Sequence, residues 1–397
     1  MTSPTSFELR SGETWRDPFP MYRALRDHDP VHHVPTGAGG EGHEGFWFLS
    51  RFADVFDAVR DTATFSSAAG LTVEAGTGVD LGEATPIVFL DPPDHTRFRR
   101  LLGSGFTPRQ VSDLEGDVRA FVVERIERLR AAGGGDVVAE LFKPLPSFVV
   151  AHYLGVPAAD RPLFDRWTEQ IVAAAAQGRT GDPESGVLDL LAYFSDLVER
   201  RRVEPGDDMV SQLLALGEDT VSVAWVLGFA FTMVTGGNDT TTGLLGGAAM
   251  LLADHPGQRR LLVDDPRLIS SAVDELLRLT SPVQNLARTT TRDVEVDGKT
   301  IPQGSKVLLG YGAANRDPRE FGDDAEDLDV RREPARILSF GYGAHHCLGA
   351  AAARLQGRVA LEELLSRCPG YAVDAAGMAY ATGNYVRRPT NLAFSPE

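Results

Sequence analysis

Apolar positions along this chain recur mostly at helical spacing. Leu348, Ala351, Ala352, Leu355, Val359 and Leu365 line one side of a helix that opens just after Cys347. Glu218 to Ala253 is the longest apolar helical run, with Trp225, Phe229, Met233 and Val234 as core positions. Val273, Leu276, Leu277 and Leu279 mark the buried face of another helix; Phe52, Val55, Phe56 and Val59 mark that of a short one over 54–60. Capping and breaking residues predict further helices from Pro18 to Pro30, and from Thr107-Pro108 to about Leu129, stopped by Gly133-Gly134-Gly135. Others are expected over 136–156, 160–177 and 188–202. Asp182-Pro183-Glu184-Ser185-Gly186 separates the last two, which suits a lid over an apolar pocket.

Strands are sparse. They are expected over 46–50 and 307–311, and in a hairpin over 294–302 that turns at Asp297-Gly298. Ser66 to Glu83 is rich in Gly, Ala and Thr without a period, and reads as a mobile loop. The pattern predicts a mainly α chain with small β-sheets. No linker or repeat divides the 397 residues, so a single domain over 1–397 is expected.

Composition narrows the partners. A net charge of −17 argues against nucleic acid or an anionic membrane. Two cysteines, Cys347 and Cys368, make no disulfide framework and point to a reducing compartment. Residues 1–10 lack the apolar centre of a signal peptide, and no run approaches the roughly 18 apolar residues of a membrane span. A cytoplasmic protein without a membrane anchor is the expectation.

Two stretches break the ordinary pattern. The middle of the longest helix reads Gly236-Gly237-Asn238-Asp239-Thr240-Thr241-Thr242-Gly243. Each glycine costs a helix about 1 kcal/mol relative to alanine. A local opening of the hydrogen-bond ladder would explain them, with the Thr240 hydroxyl bonding the Gly236 carbonyl; close helix packing is the other explanation. The second stretch is Phe340-Gly341-Tyr342-Gly343-Ala344-His345-His346-Cys347-Leu348-Gly349. Its glycines let the backbone lie against something flat, and it delivers Cys347 to a helix N-terminus, where free N–H groups and the dipole favour thiolate. Taken alone, Cys347 would be a small buried hydrophobe. Zinc fits poorly, because neighbouring residues do not turn easily to one ion and no second ligand pair lies near. A c-type haem is excluded by the absence of C-x-x-C-H.

The order Phe340, Gly343, His345, Cys347, Gly349 and Ala353-Arg354 resembles the haem-binding loop of the cytochrome P450 superfamily, the haem-thiolate monooxygenases. Gly236 to Thr241 is similar to that family's [AG]-G-x-[DE]-T-T, with Gly in place of the commoner Ala. Glu275-Leu276-Leu277-Arg278 matches its E-x-x-R, and Asp91-Pro92-Pro93-Asp94-His95 with Arg99 matches its helix over the haem edge. The resemblance implies the cytochrome P450 fold around a b-type haem (heme b, iron protoporphyrin IX), with O2 as cosubstrate.

It implies Cys347 as the metal ligand, Phe340 and Gly349 in the haem loop, and His95, Arg99, Arg288 and His345 against the propionates. Asp239 and Thr240 would manage protons. Glu275, Arg278 and Arg332, preferred over Arg331, would brace the loop. Ile337 stands where many bacterial relatives carry histidine. Val88, Phe89, Met233, Gly236, Val283, Leu286 and Tyr385 would wall a pocket for a hydrophobic small molecule, to be hydroxylated or epoxidised; Gln284 and Asn285 are placed to meet a polar group on it. Electrons would come from NAD(P)H through a ferredoxin and ferredoxin reductase, with Arg97 and Arg100 as a docking patch on a monomer. A peroxide-driven peroxygenase is an alternative that the Asp239-Thr240 pair counts against. A non-catalytic haem protein binding a gas or small ligand is another, and a structural or zinc-binding helical protein a third.

Overall fold

A computed structural model describes residues 6–37, 45–74, 82–106, 108–176 and 186–397. Its longest element is the helix Val223–Asp254, capped by Ser222, whose hydroxyl accepts the Trp225 N–H at 3.2 Å. The helix is unbroken across Gly236–Gly243, so the expected opening of the ladder does not occur. Several of its polar side chains bond back inside the helix instead. Thr240 Oγ1 donates to Gly236 O at 2.9 Å, as expected, and Thr232, Thr235, Asn238 and Thr242 bond back four residues in the same way.

Most of the glycines serve close packing. A Cβ at Gly237 would lie 2.8 Å from Val150 Cγ2, one at Gly246 2.4 Å from Pro389 Cγ, and one at Gly247 2.6 Å from Thr280 Cγ2. Gly236 differs: a Cβ there would meet nothing within 4 Å.

Around this helix pack Asp94–Leu102, Pro144–Tyr153, Val187–Val203, Ile269–Thr280 and Ala350–Arg367. The expected helix to Leu129 is two, Pro108–Asp113 and Glu115–Ala131, parted at Leu114; its cap Thr107 lies outside the described residues. The segment 136–156 makes one wide turn over Val138–Phe142 before the helix Pro144–Tyr153, because Pro144 and Pro146 fit a first turn but not a helix interior. The helix Arg161–Ala176 is present, while Gln177 and the break at 182–185 lie outside the described residues. So do residues 75–81 of the expected mobile loop.

A five-stranded sheet has the order Val31–Val34, Phe46–Leu49, Lys306–Leu309, Leu286–Thr290, Phe65–Ser66. The second and third strands run parallel and the other pairs antiparallel. The hairpin Val294–Val296 with Lys299–Ile301 turns at Asp297 and Gly298, both at positive φ (47° and 75°), the geometry a two-residue turn demands. Val88, Met233, Phe340 and Leu348 border the helical core, whereas Val283 and Leu286 border the core of the sheet. The residues of interest therefore lie between the two. Among the described residues no helix is long and apolar enough to cross a membrane.

Candidate active site

The loop before the helix Ala350–Arg367 is held by its own backbone. Gly341 N donates to Leu338 O at 2.8 Å, His346 N to Gly343 O at 3.1 Å, and Cys347 N to Phe340 O at 2.9 Å. Gly341 and Gly343 sit at φ 63° and 70°, where a side chain would be strained. Cys347 is exposed by accessible area, yet burial is the largest influence on its thiol and pushes it up. Accessible area reports the sulfur's own free surface and desolvation the protein packed around it, so the sulfur is accessible but set among protein atoms. The expectation that the helix N-terminus makes this sulfur a thiolate is thus only partly met. The Gly349 N–H, Arg99 and Arg354 favour the anion, but desolvation outweighs them. A positive centre against the sulfur would reverse that balance.

Beside the loop stand four basic groups, with the Asp91 carboxylate acting on one of them, His95. The His95 and His345 rings are 4.1 Å apart. His95 is buried and its Nδ1 has no partner. Burial, then Arg288, His95 and Arg99, hold His345 down to about 3. Burial lowers Arg99 as well, and no carboxylate pairs with Arg99 or Arg288 among the described residues. Arg288 is buried on its strand and donates only to Ala287 O, at 2.8 Å. Arg99 and Arg288 are cations in a partly dry place, which is costly unless an anion joins them. A group carrying two carboxylates and a flat body, with a metal for the sulfur, fits these residues.

Behind the loop lies the opposite arrangement. Glu275 and Arg278 are fully buried and paired twice, at 2.7 Å each. Arg332 Nε reaches Glu275 Oε1 at 3.2 Å, while Arg331 is exposed, so the choice between the two arginines falls as expected. Arg278 also donates to Asn315 O at 2.8 Å and Ala325 O at 2.5 Å. Asn315 carries the link forward. Its amide nitrogen bonds Ser281 Oγ and Ser339 Oγ, each at 2.9 Å, and its oxygen accepts the Leu338 N–H at 2.8 Å.

The family model for cytochrome P450 matches residues 263–369, the span holding this ion node and the cysteine loop. Cytochrome P450 130 of Mycobacterium tuberculosis is 58% identical, over 99% of both chains. The vitamin D(3) 25-hydroxylase of Pseudonocardia autotrophica is 38% identical over 97% of this chain and 95% of its own. The structure of CYP109Q5 from Chondromyces apiculatus superposes with a TM-score of 0.87 at 32% identity, covering 98% of each chain. The chain belongs to the cytochrome P450 family. It is a P450 monooxygenase, of a family that works with haem iron and dioxygen and draws on redox partners and hydrophobic substrates.

Within this P450, Gly236 is exposed and Asp239 and Thr240 are partly so, in a helix whose other faces are core. Burial raises the Asp239 carboxyl against the pull of Arg388. Val88, Phe89, Met233, Val283, Leu286 and Tyr385 each keep some accessible surface. Val283 bridges to Val386, which sets Tyr385 beside the strand Leu286–Thr290. Gln284 and Asn285, expected to meet a polar group of the substrate, are bonded through their amide nitrogens, while Gln284 Oε1 has no partner among the described residues. Both are buried, with Gln284 Nε2 on Thr280 O and Ser281 O, and Asn285 Nδ2 on Asn384 O.

Three contacts add to the sequence reading. The Asp91 carboxylate takes the Ser67 N–H at 3.0 Å and the Ser66 hydroxyl, tying the segment before the helix Asp94–Leu102 to the strand Phe65–Ser66. Arg97 donates to Thr220 O at 3.2 Å, and both it and Arg100 are exposed. Arg354 was seen only as a motif letter; it bonds Asp274 at 2.8 Å and lies 4.6 Å over the Phe340 ring, pinning the loop from outside.

Proposed function

We propose that residues 1–397 form one haem domain that inserts one atom of O2 into a hydrophobic small molecule, by hydroxylation or epoxidation. The observation that carries this reading is an accessible cysteine beside two arginines, Arg99 and Arg288, that have no carboxylate partner among the described residues. When bound, a b-type haem supplies the redox iron at which RH, O2, two electrons and two protons become ROH and water. Cys347 Sγ is the ligand, and as thiolate it pushes electron density toward the metal. The Gly349 N–H steadies the sulfur's charge. His95, Arg99, Arg288 and His345 hold the two carboxylates of the ring by charge-assisted bonds.

Phe340 and Gly349 shape the seat, and the Glu275–Arg278–Arg332 node, through Asn315, keeps the loop in place. Thr240 and Asp239 move protons. Burial lifts the Asp239 carboxyl toward the range where it gives up and regains a proton, and the Thr240 hydroxyl is one residue away. Val88, Phe89, Met233, Gly236, Val283, Leu286 and Tyr385 enclose the substrate and exclude water. The vitamin D(3) 25-hydroxylase among the relatives supports a bulky apolar substrate. A ferredoxin and its reductase carry electrons from NAD(P)H to this cytoplasmic monomer.

The test is direct. Cys347→Ser is expected to abolish the red-shifted Soret band of the reduced, CO-treated protein; a variant that keeps it refutes the ligand assignment. Thr240→Ala is expected to release more peroxide per electron consumed. Unchanged coupling would remove Thr240 from the proton route.

A further inference from the structure

The first ordered turn of the chain contributes no residue to the site described above, yet it is fastened to the pocket wall. That turn is Gly12–Arg16, and Trp15 within it is fully buried. It lies against the segment that carries Tyr385. Tyr380 pairs with Pro389, and Ala381 N donates to Arg388 O at 3.1 Å, so residues 380–389 fold back on themselves with Tyr385 near the tip.

The contacts between turn and hairpin run in antiparallel order. Arg16 donates to Met378 O at 2.7 Å, Glu13 Oε1 accepts the Tyr380 N–H at 3.2 Å, and Gly12 N donates to Ala381 O at 3.1 Å. Farther along, Ser11 Oγ accepts the Gly383 N–H at 3.0 Å, and Trp15 Nε1 donates to Gly383 O at 2.8 Å. Both backbone polar groups of Gly383 are thus held by side chains from the other end of the chain. Gly383 sits at φ 115°, where glycine is free and other residues are strained, so its own torsions do little to fix the tip. Arg387 closes the arrangement, with Nε donating to Trp15 O and one terminal nitrogen to the Tyr380 hydroxyl, each at 2.7 Å.

Beyond Gly383 the tip is tied to the sheet. Asn384 O accepts Asn285 Nδ2 at 3.1 Å, Tyr385 O accepts the Gln284 N–H at 2.7 Å, and Val386 pairs with Val283. Burial first, then Asp239, push the Tyr385 hydroxyl up to about 12, which sets the ring close to the long helix. The two sets of ties differ in kind. Those to the sheet fix the backbone of Tyr385 itself, whereas those from the turn fix the glycine two residues before it. An indole N–H on a buried ring needs an acceptor, and losing the bond to Gly383 O leaves that oxygen's partner missing.

We propose that Trp15 is a positioning residue for the substrate pocket: through Gly383 it sets how far the Tyr385 ring stands into the cavity, and so which lengths of apolar substrate fit. The proposal rests on the reading of Tyr385 as pocket wall. Trp15 touches no reacting atom, and the reaction itself is unchanged.

The test uses the ferric holoenzyme and three probes whose ring nitrogen binds haem iron: imidazole, N-butylimidazole and N-dodecylimidazole, each titrated by the red shift of the Soret band. The variants are Trp15→Phe, which keeps an aromatic ring but loses the N–H, Tyr385→Ala, and the double variant. Ser11→Ala, at an exposed position, serves as a second cut of the tie to Gly383 that leaves the core filled. Releasing the tip is expected to raise the affinity for the dodecyl probe relative to the butyl probe by roughly threefold to tenfold in Trp15→Phe, the worth of one hydrogen bond. Ser11→Ala is expected to move the ratio in the same direction by less, and imidazole alone binds as in the parent. Tyr385→Ala is expected to raise the ratio too, with no further rise in the double variant. A purely structural role for Trp15 lowers the unfolding midpoint and leaves the ratio where it was. If Tyr385→Ala raises the ratio while Trp15→Phe and Ser11→Ala do not, or if the double variant adds a further rise, Trp15 does not act through Tyr385 and the proposal is overturned with the wall intact. If Tyr385→Ala changes nothing, the reading of Tyr385 as wall fails first and the proposal with it.

Discussion

Two groups of buried charge flank the cysteine loop and are built in opposite ways. Behind it, Glu275 meets Arg278 twice and Arg332 once, and the remaining guanidinium donors find backbone carbonyls. Beside it, His95, Arg99, Arg288 and His345 gather with no carboxylate paired to either arginine among the described residues, and one buried ring nitrogen has no partner. The first group satisfies itself and is scaffold. The second is incomplete and is a seat. Neither conclusion follows from residue type alone, since both sets are rich in arginine; it follows from which charges the fold leaves unmatched.

Breaking the self-satisfied group should have the largest effect. Glu275→Ala strands Arg278 and is expected to lose about 3–5 kcal/mol of stability, measured by denaturant unfolding of the ferric protein. A loss below about 1 kcal/mol would mean that the node is no scaffold. The seat should behave differently. Arg99→Ala or His95→Ala is expected to speed haem transfer to an acceptor apoprotein roughly tenfold or more, as one charge-assisted bond is removed, while the apoprotein unfolds as before. Should Arg99→Ala destabilise the apoprotein as Glu275→Ala does, the contrast collapses.

The smallest effect concerns a satisfied group near the surface. Arg358 and then Arg119 hold Glu115 down to about 2, from 4.5. Its folded value is depressed, so its stabilisation is complete above about 4.5 and is lost as pH falls toward 2. Glu115→Gln should flatten the acid limb of the stability profile in that window, modestly, because solvent screens the network. An acid limb unchanged by this substitution would show that the surface pairs add nothing.

The sequence made the long helix, the cysteine loop, the buried E-x-x-R pair and the hairpin legible, because each is written in contiguous residues. Period, caps and a D-G turn are local signals. Legibility ended where a residue's surroundings come from far along the chain. Gln284 and Asn285 read as ligand contacts because polar side chains near a pocket invite that reading; that carbonyls of the preceding turn and of Asn384 hold their amide nitrogens could not be read locally. The short helices Met209–Leu214 and Pro256–Asp264 were missed, since so few turns hardly establish a period. The parting at Leu114 left no glycine or proline to mark it. Arg388 belongs to no motif, and only the glycine face at Gly243 and Gly246 brings it to Asp239. The glycines read as weakening the helix centre instead let neighbours approach it, which local propensity does not encode.

Asn315 has one more consequence. It is the joint between the ion node and the backbone at Leu338 and Ser339, and it makes that joint with a carboxamide. A carboxamide neither titrates nor carries a charge for electrolytes to shield. Acidifying the buffer or adding salt should leave the mounting of residue 347 where it was. Spectral drift across a pH or ionic-strength series can then be assigned to the pocket itself, which gives the spectroscopist a fixed baseline.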